Sequence, residues 1–210
     1  MEQCTTIYEK IQYALNDLPG DFAHKEMYPI RKSISEINLE NEVYRSSAVL
    51  ALLYREHETT NLILTQRQEY EGKHSGQISF PGGKKEDYDT DFQDTAKRET
   101  MEEIGLEKEK IHILGKLTDV FIPVSSFLVH PFIGYYEEYP AFILSEREVK
   151  EVITFDINLL QDEQILSERK IHLGGNQYLK NVPVFEINGK IVWGATALIL
   201  NEIRHLLKKL

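Results

Sequence analysis

Three glutamates in the middle of the chain are the residues best suited to do chemistry. Glu99, Glu102 and Glu103 follow Arg98 in the segment RETMEEIG. If this segment is helical, a rotation of about 100° per residue brings the three carboxylates to one face. Like charges at these spacings repel by about 0.3 kcal/mol per pair, so a helix built only for solubility would alternate its charges. Clustered carboxylates instead suit a hard divalent cation, which prefers oxygen ligands.

The residues around the glutamates predict where their helix begins and ends. Thr90, with Gln93 three positions later, fits a capping box at the amino end. Gly105 fits a glycine cap at the carboxyl end. We expect Met101 and Ile104 to point away from the carboxylates, toward a core.

A glycine turn, Pro81-Gly82-Gly83, lies just before this helix. Glycine allows a tight turn and lets the backbone come close to a ligand. The predicted order is therefore a strand, a glycine turn, an acidic loop and a helix with a carboxylate face. Because the turn, the helix boundaries and the glutamates agree, we favour a functional site over an ordinary solvated acidic helix.

The rest of the chain predicts the elements that position this site. Residues 3–17 have helical spacing, and residues 18–42 look like a surface connector. A last helix is predicted over 195–210, and a hairpin turn at Asn188-Gly189. Helices before, within and after a run of strands predict a mixed α/β fold with a sheet sandwiched between helices. Strands are predicted over 46–54, 61–66, 77–80, 111–120, 127–136, 148–155, 182–187 and 190–193.

Composition narrows the functional classes. The 210 residues are 41% hydrophobic, enough for one sizeable core. A net charge of -10 argues against nucleic-acid partners and against a polybasic membrane surface. The only cysteine, Cys4, allows no internal disulfide, and neither a signal peptide nor an apolar run of about 20 residues is present. We therefore expect a cytoplasmic protein without a membrane partner.

The segment from Arg98 to Leu106 resembles the box of the Nudix hydrolases, R-E-U-x-E-E-x-G-U, with Thr100 at a position that is usually apolar. Gly83 matches the glycine that opens the box. The spacing from Gly83 to Arg98 is one residue longer than the standard box, and Asp89 stands for its middle glutamate. The resemblance implies an α/β/α sandwich, here with an N-terminal helical extension over 1–43 and the Nudix domain over 44–210.

A second motif resembles the coenzyme A pyrophosphatase branch of this family, L-L-T-x-R-S-x3-R-x3-G-x3-F-P-G-G. Thr65, Arg67, Gly76 and the F-P-G-G turn match it in register. Gln68 replaces the serine, and Gly72 replaces the second arginine, which removes a potential phosphate contact. The segment 193–197, WGATA, is similar to the closing segment of the branch.

The resemblance implies roles for the site residues. Glu99, Glu102 and Glu103 would bind Mg²⁺ or Mn²⁺ and take part in catalysis, with Arg98 bracing a glutamate. Glu148 is the favoured general base outside the box, with Glu151 and the box glutamates as alternatives. The substrate would contact residues from the second motif and the glycine turn, namely Arg67, His74, Gly82 and Gly83. The alternatives are that Arg67 pairs with an acidic neighbour and that His74 is solvated.

These residues predict a metal-dependent hydrolase that cleaves the diphosphate linkage of a nucleoside diphosphate derivative. The resemblance favours coenzyme A or acyl-CoA, cleaved to 4'-phosphopantetheine and adenosine 3',5'-diphosphate. One alternative is a Nudix pyrophosphatase acting on ADP-ribose or a nucleoside triphosphate. Another is a non-catalytic, nucleotide-sensing domain. The expected partner is a small-molecule nucleotide-diphosphate substrate, and a homodimer through the N-terminal segment stays open.

Overall fold

The computed structural model describes residues 6–28, 34–37, 39–69, 76–174 and 177–210. Within these residues the chain forms four α-helices: α1 (Ile7–Ala14), α2 (Gly20–Met27), α3 (Phe92–Ile104) and α4 (Gly194–Leu207). The strands of the same residues are β1 (Arg45–Glu56), β2 (Thr59–Arg67), β3 (Ile78–Ser79), β4 (Gly82–Lys84), β5 (Ile111–Lys116), β6 (Val120–Ile122), β7 (Phe127–Tyr136), β8 (Val149–Asp156), β9 (Leu166–Gly174), β10 (Gln177–Ile187) and β11 (Lys190–Val192).

The larger sheet is mixed. Its main path runs β3-β2-β1-β7-β5, while β4 pairs with β1, β6 with β7 and β8 with β2. β1 and β7 are parallel over the ten pairs from Arg45–Phe127 to Tyr54–Tyr136, and the other pairings are antiparallel. A smaller antiparallel sheet has the order β11-β10-β9.

Helices cover both faces of the larger sheet. One face buries Leu50 and Leu52 of β1 against Ala96 and Ile104 of α3. The other face carries the larger core, which includes α1 and most of α4. Alternate side chains of a strand point to opposite faces, so the apolar β1 contributes side chains to both cores. The predicted mixed α/β/α sandwich is confirmed.

The N-terminal segment packs against the body of the chain. Thr6 and Glu9 form a capping box at the start of α1, and the ring of Tyr8 stacks on Tyr135 with 4.4 Å between centroids. The prediction of a surface connector over 18–42 was wrong in part, because α2 forms there and packs against α4. Pro19 is the N-cap of this helix, and proline is tolerated where a helix begins. The division at residue 43 and the homodimer stay predictions.

The local turns and strands agree with the sequence predictions in part. The hairpin at Asn188-Gly189 is confirmed, and both residues have the positive φ values, 50° and 74°, that a tight type I′ turn requires. The single strand predicted over 111–120 was wrong, because a loop over 117–119 divides it into β5 and β6, and β5 itself contains a bulge between Ile113 and Gly115. Strand β9 was missed. In the part of the chain that is described, no helix is both long and apolar enough to cross a bilayer.

Candidate active site

Helix α3 presents the predicted glutamates. Asp91 is the N-cap, and its carboxylate accepts the backbone N–H of Asp94 at 2.8 Å, so the predicted box at Thr90 was one residue too early. Gly105 ends the helix in the left-handed conformation, with φ 76°, as predicted. These caps fix both ends of the helix, and therefore the direction in which its side chains point.

The inward stripe of α3 consists of Ala96, Thr100 and Ile104, which are spaced at i, i+4 and i+8 and are fully buried. Thr100 tolerates this position because its hydroxyl donates to the carbonyl of Ala96 at 2.7 Å. Met101 lies one step around the helix and is 40% exposed. The prediction that it faces the core was therefore wrong, whereas that for Ile104 is confirmed.

Arg98 joins the acidic residues into one network. Its Nε and Nη2 donate to the buried carboxylate of Asp89 at 2.7 and 2.9 Å, and Nη2 also donates to the carbonyl of Lys84 at 3.0 Å. Its Nη1 donates to Glu99 and Glu102, each at 2.9 Å. The hydrogen bonds from Arg98 are the main reason why the pKa of Asp89 lies well below its usual range. Asp89, which the sequence analysis left outside the site, therefore anchors this arginine.

Glu99 lies against the glycine turn. A Cβ placed on Gly83 would overlap the Glu99 carboxylate, and one on Gly82 would overlap the carbonyl of Ala48. The two glycines lie in β4 rather than in the predicted tight turn, and both are needed for this strand to fit between β1 and α3. Burial raises the pKa of Glu99, although Arg98 opposes this shift.

Glu103 is the most buried of the three glutamates, with 2% of its surface exposed. Its carboxylate accepts the backbone N–H of Gly82 at 3.4 Å and lies 3.6 Å from Nη1 of Arg67. Burial raises its pKa to about 8, while the charge of Arg67 counteracts part of the shift. Long contacts of this kind compensate a buried charge only weakly. Arg67 thus pairs with an acidic neighbour, which was one of its two predicted interpretations.

The remaining predicted site residues differ in how close they lie to Glu99 and Glu103. Glu102 is half-exposed and joins the cluster only through Arg98. Glu148 is exposed, and its negative charge contributes to the raised pKa values of both Glu99 and Glu103, so it lies within electrostatic range of them. His74 lies outside the described residues.

The three carboxylates do not form a ready-made ligand set. Among the residues that the structure describes, no group of three His, Cys, Asp or Glu side chains is arranged to hold a metal ion as it stands. Carboxylates repel one another and lie apart when arginines are available as partners. Here Arg98 binds Glu99 and Glu102, and Arg67 contacts Glu103. The donor set nevertheless fits a hard divalent cation: a buried Glu103 and a half-buried Glu99 lie beside Gly82 and Gly83, and Glu103 has no close partner among the described residues.

A cleft of about 1150 Å³ opens beside Arg67, Gly82 and Gly83. Its floor includes Val49 and Phe127, on the sheet face opposite α3. Its other walls come from segments that are distant along the chain. Sequence reasoning missed those formed by Tyr28 and Ile37 of the N-terminal segment, Phe121 and Ile122 of β6, and Leu179 and Val182 of β10. Trp193 and Thr196, which also line the cleft, belong to the WGATA segment that the sequence had singled out.

Known proteins resemble this chain in sequence and in fold. The NUDIX domain family matches residues 44–172, which is more than half of the chain. A protein of Yersinia enterocolitica named "Uncharacterized Nudix hydrolase NudL" is 32% identical over 144 residues, covering 68% of this chain and 71% of its own. The protein of the same name from Pectobacterium atrosepticum is 31% identical over 159 residues, covering 76% of this chain and 81% of its own.

Solved structures share the fold at low identity. The Nudix hydrolase RenU of M. smegmatis superposes with a TM-score of 0.54 at 14% identity, covering 79% of this chain and 87% of its own. The MutT protein of Methanosarcina mazei Go1 gives 0.51 at 17% identity, covering 81% and 99%. On the family match, and on the relatives in which the same domain recurs, this chain belongs to the Nudix hydrolase family.

Proposed function

We propose that this Nudix hydrolase cleaves the diphosphate linkage of coenzyme A or an acyl-CoA, giving 4'-phosphopantetheine and adenosine 3',5'-diphosphate. The observation that carries the diphosphatase assignment is the convergence of Glu99, Glu103, Arg67 and the N–H of Gly82, where Arg67 and Gly82 also line a large cleft. This site combines acceptors for a cation with donors for phosphate oxygens. Such a combination suits a reaction in which negative charge must be neutralised.

The coenzyme A preference is supported by the proximity of two matching segments. Thr65 and Arg67 belong to the motif before the glycine turn, while the WGATA segment begins α4. The hydroxyl of Thr196 in that segment donates to the carbonyl of Ile78 at 3.0 Å, and both segments line the cleft. Gln68, which departs from the motif, donates to the carbonyl of Glu146 at 2.9 Å.

The mechanism follows from the placement of the side chains. Glu99, Glu102 and Glu103 would hold a divalent cation, Mg²⁺ or Mn²⁺, which when bound neutralises phosphate charge and makes water more acidic. Asp89 keeps Arg98 in place, and Arg98 keeps Glu99 and Glu102 aimed.

The groups around the carboxylates would handle the substrate. Arg67 would release Glu103 and contact the diphosphate, since its guanidinium borders the cleft. The N–H of Gly82 would donate to a phosphate oxygen. Glu148, exposed and within electrostatic range of Glu103, would accept the proton of the attacking water as the bond to the leaving phosphate breaks.

The test is incubation with coenzyme A and manganese, followed by chromatography of the products. We expect 4'-phosphopantetheine and adenosine 3',5'-diphosphate in equal amounts. Parallel reactions with ADP-ribose and nucleoside triphosphates test the alternative substrates. If one of these is turned over faster than coenzyme A, the coenzyme A preference is wrong while the diphosphatase assignment stands.

Calorimetry with manganese and these nucleotides tests the sensor alternative. Tight binding without hydrolysis of any diphosphate would favour a non-catalytic domain. The intact carboxylate face of Glu99, Glu102 and Glu103 leads us to expect hydrolysis instead.

A further inference from the structure

The cleft is longer than a diphosphate requires, and its length can be read from strand register. Val49 pairs with Gly82 at the end near the carboxylates, whereas Arg45 pairs with Phe127 four residues earlier along β1. At a rise of about 3.3 Å per residue, these two levels are separated by roughly 13 Å. Both Val49 and Phe127 line the cleft, so it extends from the level of Gly82, whose N–H donates to Glu103, to the start of β7.

The two ends of the cleft differ chemically. At the near end, Arg67 and Gly82 adjoin the carboxylate of Glu103. At the far end the lining includes Ile122 and Phe127, which are paired directly across β6 and β7, and the neighbouring Phe121. We call these three side chains the apolar end; the half-buried Tyr28 and Ile37 line the same cleft. A site of this composition favours a group that is uncharged and largely apolar.

We infer that the apolar end binds the uncharged group attached to one side of the substrate diphosphate, and that Tyr28 and Ile37 of the N-terminal segment are specificity-determining residues. This inference rests on the proposed function, because the diphosphate must lie at the near end. An aromatic base and the pantetheine arm of coenzyme A share the required chemistry. In either case the segment before residue 44 takes part in substrate binding, in addition to packing against the rest of the fold.

The sole tryptophan of the chain provides a direct measurement. Trp193 lines the cleft, so its fluorescence reports occupancy without any need for turnover. We would titrate the protein with ADP, with 4'-phosphopantetheine and with inorganic pyrophosphate. We expect one of the two organic ligands to change the emission of Trp193, and that ligand identifies the group that the apolar end accepts. Pyrophosphate should bind by calorimetry but leave the emission unchanged.

Variants then test the N-terminal residues. Loss of the buried contact in Tyr28→Ala or Ile37→Ala should weaken binding of the organic ligand about tenfold, with pyrophosphate binding changed less than about twofold. Tyr13→Ala is the matched control, because Tyr13 lies on α1 and is 81% exposed. Tyr28→Leu keeps most of the packing and guards against a loss caused by misfolding, which a melting curve would also reveal.

Three results would overturn the inference: no emission change with either organic ligand, an equal change with pyrophosphate, or Tyr28→Ala and Ile37→Ala variants that bind like Tyr13→Ala. Failure of the proposed function gives a different pattern. In that case no diphosphate is hydrolysed, yet the organic ligand still changes the emission and the N-terminal variants still weaken its binding.

Discussion

Two buried glutamates of this protein are held in very different ways. Glu202 of α4 is fully buried, and its carboxylate accepts the N–H and hydroxyl of Thr118, at 3.2 and 2.6 Å, and contacts Nε2 of His24 at 3.2 Å. Glu103 of α3 is almost as buried, but among the described residues it has only the 3.4 Å contact with Gly82 and the 3.6 Å contact with Arg67.

Such a difference is expected between a structural carboxylate and a functional one. A buried carboxylate with several close donors stabilises a fold, because the hydrogen bonds replace lost hydration. Glu202 meets this condition and ties α2 and the loop before β6 to α4. Glu103 does not, and burial raises its pKa to about 8. A poorly compensated buried acid at the edge of a cleft is typical of a functional site.

The largest expected effect is on catalysis by Glu103→Gln. Glutamine keeps the shape of the side chain but removes the charge that would bind a cation. We expect hydrolysis of a diphosphate substrate to fall by about a hundredfold or more, with unchanged circular dichroism. Rates like those of the wild type would contradict the assignment of Glu103 to the site.

The same substitution should also change how stability depends on pH in the absence of divalent cations. Because the pKa of Glu103 is raised from 4.5 to about 8, the folded wild type binds an extra proton between these values and loses stability as the pH rises through them. The variant lacks this loss, so its free energy of unfolding should gain up to about 5 kcal/mol relative to wild type over this range. Parallel curves would indicate that Glu103 titrates normally.

The next largest expected effect is the loss of stability in Asp89→Asn, because this substitution removes the anchor of Arg98. We expect a loss of about 3 kcal/mol in the free energy of unfolding at pH 7, because Arg98 would be left buried without its main partner. Urea denaturation measures this loss. Asp87→Asn, at an exposed position two residues away, is the matched control and should change stability by less than about 0.5 kcal/mol.

The stability that the Asp89–Arg98 pair contributes has a defined pH dependence. The pKa of Asp89 is lowered from its ordinary value of 3.8, mainly by the hydrogen bonds from Arg98. Its contribution is therefore complete above the pKa of the unfolded chain and is lost as the pH falls toward the folded value. The gap between wild type and Asp89→Asn should narrow below about pH 4. A constant gap would show that the charge of Asp89 is not what stabilises the site.

Glu202→Gln is the structural counterpart of Glu103→Gln. We expect a loss of about 2 kcal/mol in the free energy of unfolding, because charged hydrogen bonds to Thr118 and His24 are weakened. Hydrolysis at a temperature where the variant is folded should change less than about twofold. If Glu202→Gln abolished activity while leaving stability intact, the contrast between the two glutamates would be wrong.

Features set by neighbouring residues were predictable from the sequence. The glycine cap at Gly105, the turn at Asn188-Gly189 and the carboxylate face of α3 depend on residues a few positions apart, and backbone sterics restrict such segments to few conformations. The error at Met101 is also local in origin. The helix turned its Ala96–Thr100–Ile104 stripe inward because threonine satisfied its hydroxyl on the preceding turn.

Features set by tertiary packing were not predictable from patterns. Arg67 and Glu103 are 36 positions apart, and nothing in either neighbourhood indicates that they touch. Tyr28 reaches the cleft because α2 packs against α4, which lies at the opposite end of the chain. Asp89 was visible as a substitution in the box, but only the fold reveals that it is buried against Arg98.

The central claim is that Glu99, Glu102 and Glu103 gather around a divalent cation that the reaction requires. The most direct measurement is anomalous diffraction from a crystal of the wild-type protein soaked in manganese. We predict a peak within bonding distance of the Glu99 and Glu103 carboxylates, with Arg98 still bound to Asp89. An absent peak, with these carboxylates remaining on Arg98 and Arg67, would contradict the claim.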